Sequence, residues 1–122
     1  MVVIILISNP LWKSEARIAT NLLHIMPVGT SMEDVISIVE NHKSWTIRFI
    51  SYDRGFIMGP SGPEMGGEPD GRRTLIGEKA MRLHLGQYYA YFFIQTDVSA
   101  FIAFDENSNL VRIVVRKSMN VL

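Results

Sequence analysis

The chain has 122 residues, with 12 basic side chains against 12 acidic ones; 48% of it is hydrophobic, 20% is charged, and it has no cysteine. That is enough chain for one domain around one core, and too apolar for a disordered segment. Balanced charge without any block of one sign leaves no footprint for nucleic acid, and the missing cysteine removes disulfides, thiolate nucleophiles, Cys-bound zinc and iron–sulfur clusters.

Residues 1–8, MVVIILIS, precede Asn9-Pro10. Such a run is far shorter than the roughly 20 apolar residues that cross a bilayer. It reads either as a strand or as the tail of a secretory or lipoprotein signal. The second reading places the protein in the periplasm or cell envelope, the first in the cytoplasm.

Helical spacing of Leu11, Ile18, Leu22, Ile25 and Met26 predicts a first helix over residues 11–26. Pro27-Val28-Gly29 ends it. A second helix follows with Met32, Val35, Ile36 and Val39 as its apolar stripe, finishing near Asn41-His42-Lys43. Its start carries two competing capping boxes, Thr30-x-x-Glu33 and Ser31-x-x-Asp34. From Trp45, the alternation of Trp45, Ile47 and Phe49 with Thr46, Arg48 and Ile50 predicts a strand. Tyr52-Asp53-Arg54-Gly55 reads as its end.

Residues 59–73 hold eight Gly or Pro in fifteen positions. They read as a long flexible loop that buries almost nothing. Met81, Leu83 and Leu85 then alternate with Arg82 and His84 in a half-buried strand, broken at Gly86. Tyr88 to Phe93 is strongly aromatic, and Gln95-Thr96-Asp97 reads as a turn. Val98 to Lys117 form a hairpin: VSAFIAF, the polar DENSN, then LVRIVVRK. Placing Asp105 opposite Leu110 pairs Phe104 with Val111, Ile102 with Ile113 and Ala100 with Val115 on a dry face. Ala103–Arg112, Phe101–Val114 and Ser99–Arg116 pair on a mixed face. The fold class is therefore α+β, a single domain over 1–122. Two N-terminal helices cover one face of a four-stranded antiparallel sheet (ααββββ), with the 59–73 loop between the first and second strands.

Chemistry is sparse. His24, His42 and His84 lack ligand spacing, no Gly-x-Ser-x-Gly is present, and the glycines of 59–73 lack the Lys-Ser/Thr of a phosphate loop. No catalytic, cofactor-binding or metal-ligating residue is assigned, and no cofactor is expected. The best enzyme or ligand-binding candidate is His84 with Arg82 beside Asp53. Aromatic residues are the stronger lead, because there are more of them than a small core easily hides. The predicted partner-binding residues are Tyr88, Tyr89, Tyr91, Phe92, Phe93, Phe101, Arg112, Val114 and Arg116.

The second-helix start, Pro27-Val28-Gly29-Thr30-Ser31-Met32-Glu33-Asp34-Val35, and the hairpin Phe104-Asp105-Glu106…Leu110…Ile113…Val115 resemble the SmpA/OmlA-type envelope lipoproteins and the broader β-lactamase-inhibitor-protein-like (BLIP-like) fold. The resemblance implies a non-catalytic bacterial domain that binds other proteins through its sheet and loops, with no catalytic residues to transfer. The expected function is protein binding, with an immunity or inhibitor protein that blocks a partner enzyme as the first alternative and a small-ligand binder or enzyme as the second. The expected partner is another protein, or a second copy in a homodimer. Nucleic acid and a transmembrane span are not expected.

Overall fold

A computed structural model describes residues 10–90 and 93–121. The reading of residues 1–8 lies outside them. A 3-10 turn at Pro10–Trp12 leads to helix α1 (Glu15–Ile25) and helix α2 (Met32–Glu40). Seven strands follow: β1 (Thr46–Ser51), β2 (Phe56–Gly59), β3 (Gly62–Glu64), β4 (Thr74–Ile76), β5 (Lys79–Ala90), β6 (Ile94–Phe104) and β7 (Leu110–Val121). They form a four-stranded sheet, β1-β5-β6-β7, and a three-stranded sheet, β3-β2-β4, with every pairing antiparallel. The α+β class holds, but the chain has two sheets rather than one. Among the described residues, no helix is long and apolar enough to cross a membrane.

The helices start where side chains can receive orphan N–H groups. Ser14 Oγ accepts from Arg17 N–H, and Ser31 Oγ accepts from Asp34 N–H at 3.1 Å. Of the two boxes at the second helix, Ser31 is therefore the cap. Thr30 is used otherwise: its hydroxyl donates to the Pro27 carbonyl at 2.6 Å. Its backbone, with that of Gly29 and Met32, bonds to Leu110 and Ser108 at the β6–β7 turn. The linker between the helices is thus pinned to the last hairpin. One helical expectation fails: Ile25 is 51% exposed, because the stripe that reaches the sheet is Ile18, Leu22 and Met26.

The hairpin register follows the side-chain pattern. Ile102 pairs with Ile113, Ala100 with Val115, Ala103 with Arg112, Phe101 with Val114 and Ser99 with Arg116. Only the turn end departs. Phe104 pairs with Leu110, not Val111, and the surplus Val111 is left as an exposed bulge. Asp105 causes this by tightening the turn, since its carboxylate accepts from the N–H groups of Asn107 and Asn109, each at 2.9 Å. Two further bulges lie at Arg48 in β1 and Leu85–Gly86 in β5. The first inverts the expected β1 alternation: Ile47 and Ile50 face the core, while Phe49 turns outward and is 53% exposed.

The reading of residues 59–73 is corrected at its start, over 59–64, while 65–73 remain an irregular and mostly exposed connection. Gly59-Pro60-Ser61-Gly62 is a tight reversal joining β2 to β3, and Pro63 is buried. The small sheet this makes lies on the outer face of the large one. Phe56 packs with Ala80, Phe101 and Ala103, and Met58, Met65, Ile76 and Val114 close the cluster. Arg116 Nη1 donates to the Pro63 carbonyl at 3.1 Å, tying the hairpin down. The entry and exit of the small sheet touch at Gly55, where an added Cβ would meet the Ile76 carbonyl oxygen at 1.7 Å. Glycine is therefore required there by close approach of backbone. The inner face carries the main core: Leu22, Met26, Val35 and Val39 of the helices meet Met81, Leu83, Ile102, Phe104 and Val115.

Phe56→Ala tests whether this region is structure or loop. Phe56 is fully buried between the sheets, so truncation should cost about 3–5 kcal/mol in denaturant unfolding. An unchanged midpoint would mean that the second sheet does not form.

Candidate functional site

The small sheet covers only part of the large sheet's outer face. The uncovered part is polar by strand alternation. β5 contributes Arg82, His84 and, after its bulge, Gln87; β6 contributes Gln95, Asp97 and Ser99; β7 contributes Arg116, Ser118 and Asn120. The β1 bulge adds Arg48. Three adjoining depressions result. One of about 410 Å³ lies among Arg48, Arg82, His84, Asp97 and Ser99. A second, of about 320 Å³, lies among Arg82, Phe101, Arg116 and Glu64. The third, of about 450 Å³, runs past Arg48, Phe49, Asp53 and Arg82. Arg82 borders all three.

The carboxylates on this face are occupied. Asp97 Oδ1 lies 3.6 Å from His84 Nε2 and accepts from Gln95 Nε2 at 3.3 Å, while Oδ2 accepts from Asn120 Nδ2 at 3.2 Å. Gln95 Nε2 also donates to Gln87 Oε1 at 2.5 Å. Glu64 is ion-paired with Arg73. The cations are not comparably used. Arg82 places its guanidinium carbon 5.6 Å from the centre of the Phe101 ring, a cation–π contact. Among the described residues, neither Arg82 nor Arg48 donates a hydrogen bond to a protein acceptor or pairs with a carboxylate. The face therefore presents two arginines with open N–H donors.

The predicted partner-binding residues are divided by this architecture. Phe101 is 3% exposed, its ring tilted against that of Phe56 with centres 5.9 Å apart, and is core rather than contact surface. Val114 packs half-buried under the small sheet and Arg116 is spent partly on Pro63. Both faces of the covered half are occupied because the Gly/Pro-rich segment supplies a second layer. Tyr88 is also removed from the outer face: the Gly86 bulge sends it to the helix side. There it lies 4.9 Å from Trp12, and Lys117 Nζ donates to its hydroxyl at 3.2 Å. Tyr89, on the open face, is 51% exposed, Phe93 55%, and Arg112 lies exposed on β7. Tyr91 and Phe92 lie outside the described residues.

Arg48, Gln95 and Asp97 were missed as site residues. Gln95-Thr96-Asp97 is not a turn but the first half of β6, with Thr96 buried and its neighbours pointing out. The signal was present as a polar alternation, Gln95, Asp97, Ser99, opposite Thr96, Val98, Ala100. His84 and Arg82 do meet in one depression, yet His84 pairs with Asp97 rather than Asp53. Among the described residues, no three His, Asp or Glu converge as metal ligands.

On the helix side a separate apolar cleft of about 400 Å³ lies between α1 and Trp45, walled by Ile18, Leu22, Ile25 and Leu85. His42 stacks on Trp45 at its mouth, with ring centres 3.8 Å apart. No family model, curated protein or solved structure matches the chain.

Arg82 tops the cation–π pair without closing any core. Arg82→Ala should therefore lower stability by less than about 1 kcal/mol, whereas Phe101→Ala beneath it should cost about 3–5 kcal/mol. Chemical denaturation of the two variants separates them. A large loss in Arg82→Ala would make that arginine a structural element.

Proposed function

We propose that this chain is a non-catalytic protein-binding domain whose partner docks on the open half of the outer sheet face. The observation that carries the reading is the contrast within that face. One half is sealed by the chain's own second sheet, and the other presents Arg82 and Arg48 without protein acceptors. Exposed Phe49 and Tyr89 flank it on β1 and β5. Arginine and tyrosine around desolvatable depressions are the residues that dominate binding energy at protein interfaces. Sheets present side chains on a rigid backbone, so such a surface costs little ordering on association.

The likeness to SmpA/OmlA-type and BLIP-like domains supports the same reading, since those domains bind proteins through sheet and loops. It directs the first search for a partner to bacterial envelope proteins. An immunity or inhibitor protein is a special case in which the partner is an enzyme. Among the described residues, Ser99 lies opposite His84 across the β5–β6 pair with no hydrogen bond between them, so the enzyme reading draws no support from that pair.

The test is affinity capture with the intact chain, the outer-face variants Arg48→Ala and Tyr89→Ala, and the helix-face variant Arg17→Ala. A specific partner should be lost or at least about tenfold depleted with the outer-face variants and kept with Arg17→Ala. Retention on the outer-face variants with loss on Arg17→Ala would place the interface on the helices and overturn the reading.

A further inference from the structure

Arg82 has three properties that together define a ligand chemistry. It stands where three depressions meet, on a strand flanked by hydrogen-bonded neighbours on both sides. Its guanidinium rests on Phe101, a ring held 3% exposed by contact with Phe56. A cation–π contact consumes no N–H donor. The Arg82 donors meet no acceptor among the described residues, and the same holds for Arg48 beside it. Of the nearby carboxylates, Asp97 accepts from Gln95 and Asn120 and lies 3.6 Å from His84 Nε2, Glu64 pairs with Arg73, and Asp53 accepts from the Ser51 hydroxyl.

From this geometry we infer that the open face is a carboxylate seat. It takes acidic side chains from an extended segment of a partner protein, with Arg82 as the anchor and Arg48 as the second contact. The inference rests on the protein-binding reading and adds the partner's chemistry to it. A planar guanidinium with a fixed ring beneath it matches a carboxylate bidentately, and pre-positioning by Phe101 removes part of the side-chain ordering cost. Two arginines on adjacent strands suit two acidic residues of one segment. Gln87 lines the same depression, its side-chain oxygen accepting from Gln95. A nucleic acid fits this face less well. A run of phosphates calls for a basic stripe, and on a chain of zero net charge this face offers two arginines with open donors among the described residues.

The probe is an N-acetylated, C-amidated hexaglutamate peptide, titrated into the 15N-labelled chain and followed by NMR, including the arginine Nε–H signals. Hexaglutamine and a single-stranded hexathymidylate are run beside it. Hexaglutamate should shift the Arg82 and Arg48 Nε–H signals, and hexaglutamine should not. Arg82→Ala should weaken hexaglutamate binding at least about tenfold. Arg82→Lys should fall between, because it keeps the charge and loses the fork. Arg17→Ala should change nothing. Equal binding by wild type and Arg82→Ala overturns the inference, as does hexathymidylate binding at Arg82 more tightly than hexaglutamate. If a captured protein partner depends on Tyr89 but not on Arg82 or salt, the inference fails while the protein-binding reading stands. If no partner depends on the outer face at all, that reading fails.

Discussion

Strand β6 imposes the constraint from which the rest of the molecule follows. It lies inside the large sheet between β5 and β7, and from Val98 to Phe104 every residue is buried. An apolar strand interior must be covered on both faces. The helices can cover only one. The other is covered by a second, three-stranded sheet built from the segment between β1 and β5. Over the first half of the same strand, Gln95 and Asp97 project outward and only Thr96 is buried. Here the outer layer stops. A single strand thus carries the boundary between sealed and open surface, with Ser99 at the border and Phe101 just inside it.

That boundary explains the character of the site. Phe101 belongs to the covered half, so it is rigid; Arg82, its partner across the β5–β6 pair, reaches over it into the open half. The positive surface therefore sits on packed core rather than on a loop. The hydrogen bonds around Asp97 work in the same direction. They fix the Asp97 carboxylate on Gln95 and Asn120, away from a direct ion pair with either arginine. Two arginines with open donors thus stand on this face within a chain whose total charge is zero.

Much of the scaffold was legible in the sequence, and the failures share one cause. The β6–β7 register could be read because its two faces differ sharply in polarity, and slipping by one residue would bury Arg112 and Arg116. Ser31 against Thr30 as helix cap could not be decided locally, because Thr30 is drawn away by the distant β6–β7 turn. Val111 and Phe49 were misplaced by bulges, which shift alternation without changing composition. The Gly/Pro-rich segment was misread because three-residue strands carry no period, and Gly59, Gly62 and Gly55 serve tight reversal and close approach rather than flexibility. Gln95-Thr96-Asp97 was misread as a turn because polar residues on an open strand face look like loop residues. The same polarity that hid β6 marks the site. Arg82 and His84 were visible as outward residues, but their alignment with Arg48, Asp97 and Ser99 depends on pairings between strands far apart in sequence.

The central claim is that half of the outer sheet face is open in the free protein while the other half is sealed. A soluble paramagnetic chelate reads this directly through relaxation of NMR signals. The account predicts strong broadening of the Arg48 and Arg82 side-chain N–H signals and of the Gln87 side-chain amide, with the Phe56, Ile57 and Phe101 backbone amides protected. Protection of Arg48 and Arg82 equal to that of Phe56 would show that the chain covers its own outer face, and would contradict the account.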